Sequence, residues 1–462
     1  MERGGITMAK IKNVDMLNGN LLGAILRFAI PIFLIGLIQN LFNSVDMVVL
    51  GQMANTDAVA SVGATGVILG LLVNVFLAIS QGAKVVLARY LGANDEERVK
   101  KTVSTSMITG LLLGIFSALV GMVLAKPFLI LTDCPADCME GALLYMRIYI
   151  AAAPAIMLYN FGTSVLTVSG DSQRPLYYMI ASGLLNVVLN FVLCLILPQK
   201  VVAVAVATVA AQVLGAILVL RRLSRVQGSC HFTFRRLSWS RSSFGRLMSN
   251  GLPMALNSAL YPISNLQIQS ATNSFGTAVI AGNAASANME GLVGSACGTP
   301  FGAAATTFVG QNLGAGKKER VKKSILYCMT LSVGIATLLG ALCYLFSAPL
   351  ASLYVGDDAA AIAATQIRMR YVLLPYFICC AFGLINHVIQ SFGYASFTAA
   401  VNVICVVLFR VFWMAVIYPL DPSFDMICLC YLVSWCLTLL TCGGFLLYLY
   451  FGKFKKGTLK KM

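Results

Sequence analysis

Charge is what this 462-residue chain has least of: 11% of its residues are charged and 59% are apolar, against roughly 25% and 45–50% in soluble globular proteins. So few charges do not coat a soluble surface of this size, which excludes a globular protein in water. Histidine is nearly missing, and the two present, His231 and His387, stand in no metal-ligand spacing. No glycine loop ends in Gly-Lys-Ser/Thr, which argues against a built-in ATPase. A basic n-region followed by a short apolar segment is also absent; residues 1–20 are polar and of mixed charge, so the first apolar segment is expected to stay in the bundle. The fourteen cysteines are scattered through apolar stretches. Cys379-Cys380 and Cys428/Cys430 read as small buried apolar residues. Cys134 and Cys138 fall in a predicted outer loop, where they are open to oxidation and a disulfide is one outcome. With no nucleophile or metal constellation, neither an enzyme nor a cofactor is expected.

What the chain does have is long apolar runs, and roughly 20 such residues cross a bilayer. About twelve spans are legible, six per half: 24–48, 58–83, 103–125, 142–166, 176–197 and 201–221, then 252–275, 277–308, 324–346, 361–387, 397–419 and 426–451. Two of them, 58–83 and 277–308, are rich in Ala, Gly, Ser and Asn, which suits close helix contact or a cavity wall better than a lipid face. The expected class is an all-α membrane protein.

The halves are related. The block from Leu91 to Lys101 returns from Leu313 to Lys323, identical at eight of eleven positions and offset by 222 residues. The same offset takes Pro31 to Pro253. Short solenoid repeats have periods of roughly 20–50 residues, so this is another kind of duplication. Two similar apolar halves suggest a transporter, in which one lobe rocks against the other around a central site.

The net charge of +16 is not a nucleic-acid signature, because its distribution follows alternate loops. Lys84, Arg89, Arg98, Lys100 and Lys101 lie at or after the second span, Arg174 after the fourth, and Lys317, Lys318, Arg320, Lys322 and Lys323 after the eighth. Seven arginines from Arg221 to Arg246 fill a central linker. Intervening loops carry acids such as Asp137, Asp357, Asp421 and Asp425. Lys/Arg-rich loops stay cytoplasmic, so both termini and the linker are expected inside. The linker reads as a topology and anionic-lipid element.

Charges left inside apolar spans each need a reason, since burying one in the bilayer costs a few kcal/mol or more. Asp46 lies deep in the first span; either it faces water near the helix end or it is an ion or proton site. Asn186 and Asn190 share a face of the fifth span, and Thr208 sits mid-way along the sixth, where back-bonding to its own helix is the ordinary role. Glu290 and Arg410 are apolar-flanked and read either as a structural ion pair or as Glu290 facing a cationic substrate. Snorkelling to the interface is an adequate account of Arg368 and Arg370.

Pro31 with Asp46-Met47-Val48-Val49-Leu50-Gly51, the two Leu-Gly-Ala blocks, Val309-Gly310-Gln311-Asn312, the stretch from Ser169 to Pro175, and Gly393 ahead of Arg410 together resemble the multidrug and toxic compound extrusion (MATE) family over nearly the whole chain. The resemblance implies twelve transmembrane helices in two pseudo-symmetric six-helix lobes arranged as a V. The corresponding division is 1–23 cytoplasmic segment, 24–221 first lobe, 222–251 basic linker, 252–451 second lobe and 452–462 basic tail. It implies export of amphipathic, often cationic, organic compounds from the plasma membrane in exchange for sodium ions or protons. The partners are then small organic substrates and the lipid bilayer, with no nucleic acid and a monomeric chain.

The resemblance places ion coupling at Asp46 with Asn186, Asn190 and Thr208, and helix bending at Pro31. Some members carry a second aspartate where this chain has Asn190, which leaves one carboxylate. Some also have an acid in the seventh helix; here that helix offers Gln267 and Gln269, and the nearest acid is Glu290. From their central spans, Tyr159, Asn160, Met254, Gln267, Met289, Glu290 and Arg410 are expected to line the cavity. A lipid-linked sugar flippase of the same superfamily is the alternative, with Arg410 as its cavity cation, and a membrane-embedded enzyme is a more distant one.

Overall fold

In the computed structural model the described residues are 13–53, 56–132 and 134–454, with backbone alone for 43–53, 56–60, 67, 236, 263 and 453. The first half comprises α1 (Leu21–Met53), α2 (Thr56–Gly92), α3 (Glu96–Leu131), α4 (Ala136–Ala151), α5 (Ala153–Val168), α6 (Gln173–Ile196) and α7 (Lys200–Leu223). The second comprises α8 (Arg241–Asn273), α9 (Thr277–Gly314), α10 (Lys318–Leu345), α11 (Ser347–Val355), α12 (Ala359–Arg368), α13 (Tyr376–Ser391), α14 (Ala395–Asn402), α15 (Phe409–Phe412) and α16 (Phe424–Tyr448). Short π-helical stretches carry α12 into α13 and α14 through α15, making one span of 359–391 and one of 395–420.

Among the described residues ten spans are long and apolar enough to cross a membrane. The helices α4 and α5, bent by 46° where Pro154 enters, make an eleventh. The remaining long helix, α8, has 33 residues but is diluted by Asn257, Asn265, Gln267, Gln269 and Asn273. The expected twelve therefore resolve into eleven apolar spans and one polar helix. Pro31 lies inside α1 without ending it.

Both copies of the repeated block fold as a helix end, a tight turn and a helix start. In the first, Asn94 takes a left-handed backbone (φ 54°) and Asp95 caps α3, accepting from the Arg98 amide at 3.0 Å. In the second, Gly316 (φ 70°) stands at the position equivalent to Asn94. Asn and Gly are the residues that visit this conformation most readily. The boundary read at residue 83 moves: α2 continues to Gly92, so Lys84 and Arg89 are buried helix residues rather than loop residues.

The helix continues because the two blocks cross there. A Cβ on Gly92 would collide with the Gln311 carbonyl, one on Gly314 with the Arg89 carbonyl, and one on Gly82 with the Gly251 backbone. Backbones that close leave no room for loops. Polar groups reach across the same seam: Arg89 Nε donates to the Ser391 carbonyl (2.9 Å) and Gln311 Nε2 to that of Val168 (2.6 Å).

The segment before α1 binds this end too. The Val14 amide donates to the Gly170 carbonyl (3.0 Å), and Asn312, Lys317 and Arg320 donate to carbonyls of Met16, Leu17 and Gly19. The central linker lies along α3, with the Ser238 and Ser240 amides donating to Ser104 and Thr105. The leading segment, the linker and both repeat blocks thus share one basic face.

Each lobe's core holds the start of the other lobe's first helix. Ile25, Phe28 and Ala29 of α1 pack with Phe301, Phe308 and Phe392 of the second half. Reciprocally, Leu247, Met254 and Ala255 of α8 pack with Phe76, Val86 and Phe161 of the first.

Candidate functional site

Three of the four residues expected around a cation come together in the first lobe. Asn190 Nδ2 donates to Asn186 Oδ1 (3.2 Å), Asn186 Nδ2 donates to Thr208 Oγ1 (3.3 Å), and the Thr208 hydroxyl donates to the Val204 carbonyl (2.9 Å). Both asparagines are buried on one face of α6, as their i, i+4 spacing requires. Thr208 does back-bond, and it also receives Asn186. The Asp46 side chain lies outside the described residues. Helix α1 packs along α6, and the Phe42 ring occupies the space above Gly183, where a Cβ would collide with it.

In the second lobe the pairing differs from expectation. Glu290 pairs with Arg368, not Arg410: Nε to Oε1 is 2.7 Å and Nη2 to Oε2 is 2.9 Å. Arg368 Nη1 donates to Asn283 Oδ1 (2.6 Å). Snorkelling does not describe Arg368, because α12 lies too close to α9 to release it. A Cβ on Gly282 would collide with the Ala361 carbonyl, and Thr365 Oγ1 donates to the Gly282 carbonyl (3.2 Å).

Arg410 is fully buried, donating to Asn265 Oδ1 (2.8 Å) and Ser434 Oγ (3.2 Å). The Tyr431 ring faces both guanidinium groups, 4.4 Å from Arg410 and 5.0 Å from Arg368, and Tyr261 lies 5.3 Å from Arg410.

Beyond the seam, away from the basic face, lies a cavity of about 730 Å³. Its walls come from α8, α9, α13 and α14, closed by Asn74, Leu77, Ala78 and Gln81 of α2. Gly291, Gly294 and Gly298 keep the α9 wall flat, in keeping with a small-residue span lining a cavity. Of the expected lining residues Met254 is on the wall. Tyr159 packs against Gly215 and Asn160 is buried in the first lobe. Met289 belongs to a second-lobe core cluster and Gln267 is exposed on α8. Glu290 and Arg410 belong to the networks above.

Asn257, Tyr261, Tyr376, Asn386, His387 and Gln390 are among the lining residues that the sequence reading missed. The signal for the last three was their i, i+1, i+4 spacing in an apolar span. His387 Nδ1 stands 3.1 Å from Thr306 Oγ1, whose hydroxyl is placed to donate to the Gly302 carbonyl (3.1 Å). The other edge of the imidazole lies over Gly302, where a Cβ would come within 2.7 Å of Nε2.

Two six-helix lobes sealed at one basic face, with a cavity between them, define a two-lobed membrane transporter. The MatE family model matches residues 31–192 and 253–415, and the chain belongs to that family. The two matched segments begin at Pro31 and Pro253, the pair related by the internal duplication. The chain is 28% identical over 353 residues to the probable multidrug resistance protein YoeA of Bacillus subtilis, covering 74% of this chain and 75% of that one. It is 23% identical over 367 residues to the FAD transporter of Shewanella oneidensis, covering 77% and 78%. A solved MOP superfamily transporter from Pyrococcus furiosus, described as having a binding pocket of reverse polarity, superposes with a TM-score of 0.85. That comparison has 20% identity and covers 95% and 99% of the two chains. These relatives are transporters, and the chain is a multi-span membrane transporter of the multidrug efflux type.

Proposed function

We propose that this chain exports amphipathic organic compounds from the central cavity by alternating access, in exchange for a monovalent cation held in the first lobe. The observation that carries the reading is the position of the cavity: walls from both repeats, directly beyond a seam of touching backbones on the basic face. Lys/Arg-rich ends are retained in the cytoplasm, so the sealed face is the cytoplasmic one and both termini lie there. A substrate leaving such a cavity leaves outward, and rocking the lobes about the seam returns the site to the inside.

The cation site in this reading is Asp46 with Asn186, Asn190 and Thr208. It supplies one carboxylate with amide and hydroxyl oxygens, which suits sodium, a hard cation, and equally suits a proton. The α1–α6 packing and the Asn190–Asn186–Thr208 chain of hydrogen bonds support it. The cavity is apolar with scattered uncharged polar groups, the usual make-up of a small-molecule site. Glu290, the acid expected to select cationic substrates, is committed to Arg368, so the charge preference of the cavity has to come from other groups.

The test is flux in proteoliposomes with sodium and pH gradients imposed separately. Wild-type chain is expected to move an organic dye against its gradient with one of the two ions. Asp46→Asn is expected to abolish that movement while leaving expression and thermal stability near wild type. Gradient-driven flux at the normal rate in the variant would remove Asp46 from the mechanism.

A further inference from the structure

We propose that Lys84 is the counter-ion for an anionic group on the exported compound, a carboxylate, sulfonate or phosphate that docks at the floor of the cavity. The assignment rests on the export reading above and adds the charge class of its substrate.

Lys84 lies inside a membrane span and is 3% exposed. Among the described residues it makes no ion pair or hydrogen bond. A cation in that position costs several kcal/mol unless something compensates it. The α2 residues on the cavity wall are Asn74, Leu77, Ala78 and Gln81, a stripe at helical spacing that Lys84 continues one turn further. Helical side chains lean toward the N-terminus of their helix. Because α2 runs from the cavity toward the basic face, this lean takes the Lys84 stem toward Gln81 rather than toward cytoplasmic water, and places it beneath the wall that Gln81 lines.

Among the described residues the surroundings contain no competing acid. No Asp or Glu is among the described lining residues. Behind Tyr261, Arg410 is buried with Nη2 lacking a hydrogen-bond partner and no carboxylate against it. Glu290 cancels Arg368 alone. Among the described residues two cations beside the cavity, Lys84 and Arg410, have no carboxylate against them, and an anion entering it recovers part of what their burial costs.

The duplication argues against a purely structural role. The 222-residue offset takes Lys84 to Thr306, so the crossing of α2 with α9 is satisfied by a short neutral side chain on the other strand of the pseudo-symmetry. Only one of the two equivalent positions carries charge.

The experiment compares two dyes built on one xanthene skeleton, anionic fluorescein and cationic rhodamine 123. Binding is followed by fluorescence polarisation with the full chain in phosphatidylcholine nanodiscs. Wild type is expected to bind fluorescein at least about tenfold more tightly, the scale of one charge-assisted contact. Lys84→Gln should lower the fluorescein-to-rhodamine affinity ratio about tenfold, Lys84→Arg should keep it, and Lys84→Glu should reverse it. Without dye, Lys84→Gln should unfold at or above the wild-type temperature, since it removes an uncompensated charge; a clear fall would mark Lys84 as structural and overturn the assignment. Fluorescein binding that is absent, or no tighter than rhodamine binding, overturns it as well, and so does an equal loss of both dyes in Lys84→Gln. If phosphatidylglycerol nanodiscs displace fluorescein from wild type but not from Lys84→Arg, the anion is not held by charge alone and the assignment fails; displacement from both identifies a lipid headgroup as the docked anion. Rhodamine transport without fluorescein binding sinks this inference and leaves export standing. Fluorescein binding without gradient-driven flux sinks export and leaves this one.

Discussion

Glu290 and Arg368 set the terms for residue-scale tests. Both lie between packed helices, and removing one partner strands the other charge. Glu290→Gln is therefore expected to destabilise the chain by about 3–5 kcal/mol, the range for breaking a buried pair. Thermal unfolding in detergent should show it, with export of all dyes falling in proportion to the folded fraction. A selective loss of cationic dyes with a normal unfolding temperature would return Glu290 to the cavity. The double variant Glu290→Gln, Arg368→Met should recover part of the loss. Cys230 offers a test in the linker, where burial pushes its thiol up to about 11. Below that value the group is a protonated thiol, so a maleimide at pH 7.5 should leave it unlabelled; fast labelling would show the linker unpacked. At this scale the sequence was informative about which residues needed a partner and silent about which partner. Both arginines were visible, but a separation of 78 positions between Glu290 and Arg368 carries no geometry. The choice between them was made by Gly282, whose missing side chain lets α12 approach α9.

Elements were more legible than pairs. The apolar runs located eleven spans because membrane burial demands unbroken hydrophobicity, and the asparagine pair on α6 shares a face because helical pitch fixes it. Misreadings came where charged residues sit inside a helix: Lys84 and Arg89 look like a loop in sequence because nothing there says that a second helix covers them. The α2–α9 crossing makes a prediction of its own. Gly92→Ala and Gly314→Ala each place a methyl group against backbone that has no rotamer with which to yield. Each is expected to cost about 1–3 kcal/mol, and the double variant less than the sum, since the first already opens the crossing. Chemical or thermal unfolding of the three variants measures both effects. Additive losses would mean that the two glycines belong to separate contacts.

At the scale of the whole molecule, duplication was the strongest signal available, since it implied two lobes before any helix was placed. What it left hidden is that the lobes exchange the starts of their leading helices. Residues 1–228 and 229–462, expressed as separate chains, are each expected to aggregate, because each lacks the segment that fills its core. Co-expressed, they should copurify and transport. A soluble, monodisperse half in detergent would show that the exchange is dispensable.

The exchange constrains how the molecule can move. Around Pro31, α1 leaves the second lobe's core and goes on to meet α6 of its own; α8 leaves the first lobe's core near Pro253 and Pro262 and reaches Ile268 in the second. The two leading helices tie the lobes together at one hinge, with a proline near each exchange, where the missing backbone hydrogen bond makes a helix easiest to flex. Rocking about such a hinge closes one end of the molecule as it opens the other, while the exchanged helix starts keep the lobes joined. Reorientation then requires no moment at which the two lobes are apart and the bilayer is breached.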